Sequence, residues 1–87
     1  MGRYFNPTNE VASKGREIYR NSYDELVNQL QEGEYLIGLY DRGIFKNAPH
    51  LYSEREYNEF EDQANAGIIL HEGYYAVSED IYRLHVR

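Results

Sequence analysis

Eighty-seven residues with fifteen acidic and nine basic side chains, a net charge of −6, leave room for one domain whose field repels phosphate backbones. Cysteine is absent, which excludes disulfides and thiolate metal sites and fits a reducing compartment. No apolar run reaches the roughly 18–20 residues of a membrane span, the start lacks a signal-peptide core, and Asn6 stands where N-myristoylation after Met1-Gly2 wants Ser or Thr, so the expected setting is cytoplasmic.

Residues 1–14 show no sustained period and read as an N-terminal arm or loop, pinned by Tyr4 and Phe5 to a single α+β domain over 15–87. Gly15 to Arg20 reads as a short first strand. Ser22 with Glu25 has the spacing of a capping box, and Tyr23, Leu26, Val27 and Leu30 fall on one helical stripe. With Gly33 as the stop, this predicts a helix over 23–32. Tyr35 to Tyr40 is apolar on both faces, as in a central strand covered on two sides, and Gly38 within it marks a bulge or a close approach by another element. Asp41-Arg42-Gly43 is a hairpin turn leading into Ile44 and Phe45, and Asn47-Ala48-Pro49 breaks the returning strand.

Ser53 with Glu56 is a second capping box, with Tyr52 and Tyr57 placed to staple it. Tyr57, Phe60 and Ala64 then form a narrow apolar stripe, and Gly67 ends the helix. Ile68 to Leu70, a His71-Glu72-Gly73 turn and Tyr74 to Val77 read as a second hairpin. Tyr82, Leu84 and Val86 alternate with Ile81, Arg83 and His85, which predicts a half-buried terminal strand. The expected fold is α+β: two amphipathic helices packed on one face of an antiparallel sheet of four to six short strands, an α-β-β unit used twice, plus the terminal strand. Shared caps and stops account for the repetition, because the side chains of the two passes do not match.

Motifs for catalysis and metal binding are missing from the sequence pattern. His50, His71 and His85 lack the tight spacing of a zinc site, and His71 and His85 read as surface residues. Ser22 and Ser53 are explained as helix caps, Ser13 and Ser78 lie in predicted loops without a nucleophile signature, and no glycine-rich phosphate loop occurs. The expectation is a non-enzymatic chain with no cofactor and no metal.

Acidity is unevenly spread. Residues 1–20 carry a surplus of two positive charges, residues 21–62 hold ten acids against Arg42, Lys46 and Arg55, and residues 63–87 are nearly neutral. Ser53 to Asp62 alone places five acids on one predicted helix. Helical neighbours about 5–6 Å apart come near the roughly 7 Å phosphate repeat of a nucleic-acid strand. Such a face can imitate a phosphate row; the plainer account is a solvated face with acids near the helix N-terminus. Ten tyrosines add rings that serve cores and interfaces alike.

In size and charge the chain is similar to the small acidic anti-defence proteins of phages and mobile elements, anti-CRISPR and anti-restriction proteins among them. The likeness covers no specific residue. It implies an acidic inhibitor or adaptor, or nucleic-acid mimic, that docks on a basic protein surface of a nucleic-acid-handling complex and touches neither nucleic acid nor membrane itself. The residues expected to carry docking are Glu54, Glu56, Glu59, Glu61, Asp62, Asp24, Glu25, Asp41, Tyr40 and Tyr52. The second reading is a structural or assembly protein that pairs through edge strands, with itself as a homodimer or with a partner sheet.

Overall fold

The computed structural model describes residues 7–19, 22–46 and 51–85, with backbone alone for 7–9. Among these residues the chain runs α1 (Pro7–Lys14), β1 (Arg16–Ile18), α2 (Tyr23–Asn28), β2 (Glu34–Tyr40), β3 (Gly43–Phe45), α3 (Glu54–Asn65), β4 (His71–Ser78) and α4 (Glu79–His85). The four strands form one antiparallel sheet in the order β1-β4-β2-β3. This is an α+β fold, and its strand count falls within the predicted range.

Helices lie on both faces of that sheet, not on one. Along β2 and β4 alternate side chains belong to different clusters, as the two-residue period of a strand requires. Leu36, Tyr74 and Ala76 join Leu26 of α2 and Phe60 of α3, whereas Ile37, Leu39 and Val77 join Val11 of α1 with Ile81 and Tyr82 of α4. Both sets are almost fully buried. An apolar run such as Tyr35-Leu36-Ile37 needs cover on each side, and two helices on one face leave Ile37 and Leu39 in water.

The local signals largely form as read. Ser22 Oγ accepts from the Glu25 amide at 3.2 Å. Ser53 and Glu56 complete a reciprocal capping box, each side chain accepting from the other's backbone amide. The expected staple residues Tyr52 and Tyr57 both pack on Tyr74, with ring centroids 6.4 and 5.5 Å away. Gly67, at φ +77, closes α3 as a Schellman turn in which the Ile68 amide donates to the Gln63 carbonyl and Gly67 to Ala64. Gly43 takes φ +123 after the Asp41-Arg42 turn. Gly38 marks a close approach: an added Cβ would fall 2.5 Å from the Phe60 ring and 2.8 Å from the Tyr52 hydroxyl.

Four further sequence expectations fail. The helix predicted over 23–32 ends at Asn28, with Gln29 as its C-cap, and Gly33 stands in the turn before β2 and does not stop it. Residues 7–14, read as arm or loop, form α1; Pro7 opens it, Glu10 pairs with Lys14 at 3.0 Å and Gly15 follows it. The second hairpin does not exist, because His71 to Ser78 is one strand and Ile68 to Leu70 lies outside the sheet. Its supposed turn is a β-bulge: Leu39 pairs with Gly73 and Tyr40 with His71, which leaves Glu72 as the extra residue and Gly73 at φ +118. The terminal strand is helix α4, which Ser78 caps by accepting from the Ile81 amide. The α-β-β unit therefore occurs once, and the second pass runs α3-β4-α4. Tyr4, Phe5, Asn47-Ala48-Pro49 and Val86 lie outside the described residues.

Candidate functional site

The five acids of α3 do not share one face. Helical geometry turns Glu56 inward beside Phe60, where its carboxylate meets Lys46 Nζ at 3.3 Å and accepts from the Ser53 amide at 2.9 Å. Both members of that pair are nearly excluded from water, at 2% and 6% side-chain exposure. Glu61 accepts from the Tyr74 hydroxyl at 2.7 Å. Glu59 pairs with Arg55 at 3.5 Å. Only Glu54 and Asp62 remain fully outward among the five. They are eight residues apart, about 12 Å along the axis, so α3 offers no continuous row at phosphate spacing.

A patch forms instead where the first turns of α2 and α3 meet. The Tyr23 and Tyr57 rings lie 6.0 Å apart, and Glu54 and Asp24 both reach the Tyr23 hydroxyl electrostatically. Burial first and then these carboxylates push that phenol above its usual range. Asp24, Glu25, Glu54 and Asp62 are exposed and form no ion pair with another described residue. Asp24, Glu25 and Glu54 lie in first turns, where a helix N-terminus tolerates acids, whereas Asp62 stands toward the far end of α3. Asp41 and Tyr40 stand elsewhere, at the β2–β3 turn. Asp41 exchanges backbone and side-chain hydrogen bonds with Leu70, and the Arg42 guanidinium lies 5.3 Å over the half-buried Tyr40 ring. Tyr52 is buried at 4% exposure and belongs to the core, not to the acidic surface.

Beside the patch lies a groove of about 390 Å³ that the sequence reading missed. Tyr23, Val27, Leu30, Tyr35, Leu51 and Tyr52 form most of its walls. Val27 was assigned to the buried stripe of α2, yet it is 38% exposed, and Leu51 is 58% exposed. No sequence signal marked the groove: the stripe was expected on a helix over 23–32, whereas α2 ends at Asn28, before Leu30, and fully buries only Leu26. Tyr23 fixes one wall by donating to the Tyr52 carbonyl at 2.9 Å, and Tyr35 stacks on Tyr82 at 4.6 Å.

The histidines are not surface residues where described. His71 stacks on Phe60 at 4.5 Å with rings 8° from parallel, and its Nδ1 accepts from the Gly73 amide at 3.0 Å. His85, at 2% side-chain exposure, meets Glu10 Oε1 at 2.5 Å and ties α4 to α1. His50 lies outside the described residues. Among the described residues no group of three or more His, Asp or Glu could hold a metal ion, and no helix is long and apolar enough to cross a membrane. Comparison with known protein families, curated proteins and solved structures finds no match to this chain.

Proposed function

We propose that this chain is a non-enzymatic protein-binding module, an acidic inhibitor or adaptor that docks on a basic groove of a nucleic-acid-handling complex, as anti-defence proteins of phages and mobile elements do. The supporting observation is the patch of outward carboxylates on α2 and α3. Asp24, Glu25 and Glu54 carry like charges in the first turns of α2 and α3 without an ion-paired cation among the described residues, Asp62 adds an outward charge farther along α3, and a cationic partner relieves that repulsion. Their arrangement favours recognition as a charged patch over imitation of an ordered phosphate row.

The test is capture from the native host on the immobilised chain, with elution by salt. A specific partner should be retained at low ionic strength and released as screening grows. The variant carrying Asp24→Lys, Glu54→Lys and Asp62→Lys should lose it while keeping the circular dichroism of the parent. Retention by the folded triple variant would sink the reading.

A second reading, assembly through edge strands, draws on β1 and β3, which have no outer neighbour among the described residues. Each spans three residues, and an antiparallel self-pairing centred on Glu17 sets that carboxylate against its own copy. Sedimentation over a concentration series separates the readings, because assembly requires a dimer and docking on another protein does not.

A further inference from the structure

We infer that the groove between α2 and the start of β2 receives one large apolar side chain from a lysine- or arginine-rich segment of the partner protein. The inference rests on the acidic-docking reading and deepens it by naming what the docked segment must contain. Apolar lining and charged rim together carry it. The walls present Val27 and Leu51 to solvent over a volume of about 390 Å³, within the range of pockets that take one compact group. They are also held in place, since Tyr23 is tied to the Tyr52 carbonyl and Tyr35 is stacked on Tyr82. An occupant therefore meets a preformed surface and loses little free energy to ordering it.

The rim decides the occupant's charge. Asp24 adjoins the Tyr23 wall, Glu32 adjoins Gly33, and both are exposed; Glu54 lies within electrostatic reach of Tyr23. The nearby cation Arg16 is already engaged, bonded to Glu34 and donating to the Gln29 carbonyl at 2.9 Å. An acidic segment is repelled here. A second copy of the chain brings its own net charge of −6 to the same rim. A segment with cationic residues flanking an aromatic or branched side chain satisfies both features at once.

Titration of the full chain with two synthetic lysine-rich peptides, identical except for a central Phe or Ser, tests this. The Phe peptide should bind about tenfold to hundredfold more tightly, the range for burying one large apolar side chain. Val27→Ser with Leu51→Ser should erase that preference, and Asp24→Lys with Glu54→Lys should weaken both peptides together. Both wall residues are well exposed, and Val27→Thr, nearly isosteric, serves if the double variant fails to fold. Equal binding of the two peptides, still lost in the lysine variant, would overturn the groove assignment and leave acidic docking intact. Binding of neither peptide, or binding indifferent to the lysine substitutions, would overturn both. A dimer abolished by the wall substitutions would give the groove to a second copy and overturn the inference.

Discussion

The Tyr52 hydroxyl sits 2.8 Å from the point a Gly38 Cβ would occupy, and it is a buried polar atom with no hydrogen-bond partner among the described residues. A buried hydroxyl left unsatisfied costs free energy that an apolar ring of the same shape does not. Tyr52→Phe should therefore stabilise the fold by about 1 kcal/mol, measured as a higher urea midpoint at unchanged slope. A destabilised variant would show that the hydroxyl is satisfied in solution. Glu56 illustrates the opposite case, a buried charge with its partners in place. Its capping bonds to Ser53 and its pairing with Lys46 satisfy the carboxylate, and for a buried charge such satisfaction is what keeps the desolvation penalty tolerable. Both residues were assigned to the docking surface from sequence. The capping-box spacing already placed Glu56 at a structural position, whereas the burial of Tyr52 depends on Gly38, Phe60 and Tyr74 arriving from distant elements.

The two helices the sequence concealed, α1 and α4, are joined to each other as well as to the sheet. Glu10 is the hinge of that junction, bonded to Lys14 on its own helix and to His85 on α4. Lys14 first and His85 second hold its carboxyl below the usual carboxylate range. The folded state therefore binds a proton at Glu10 less readily than the unfolded chain does. The stability this contributes is complete above the ordinary carboxylate value near 4.5 and disappears as pH falls through the lowered folded value. Methyl NMR of Val11 and Ile81 should show their packing loosening over that acid range. Glu10→Gln should remove this part of the acid dependence, and identical acid profiles for parent and variant would refute the junction. The periodicity of α4 was misread because Tyr82, Leu84 and Val86 alternate by two. Its buried set, Ile81, Tyr82 and His85, is spaced i, i+1, i+4. Ser78, the acids Glu79 and Asp80, and the late Arg83 and His85 were the legible helix signs.

Taken whole, the molecule is a twice-covered sheet in which tyrosine does much of the packing. Burial raises the Tyr52 phenol, and burial followed by donation to Glu61 raises that of Tyr74, both well above the ordinary 10.0. Groups raised in the folded state contribute stability that is present below that value and is lost as pH climbs above it. Base should therefore unfold the chain cooperatively, with the last phenolate absorbance appearing together with loss of circular dichroism. Full ionisation of all ten tyrosines in a chain that keeps its dichroism would contradict the packing.

By itself the sequence determined the α+β class, the N-caps of α2 and α3, the β2–β3 turn and the acidity of the middle of the chain. These follow from interactions within a few residues: a hydroxyl three positions from an amide, a glycine free to take positive φ, an apolar run too long for one-sided cover. Tertiary structure alone decided that helices cover both faces, that His71 to Ser78 is one bulged strand, and which carboxylates reach water. Those outcomes depend on what packs opposite each side chain. Lys46 draws Glu56 inward and Tyr74 holds Glu61, while Asp24 and Glu54 are left outward beside a groove that no local pattern of residues describes.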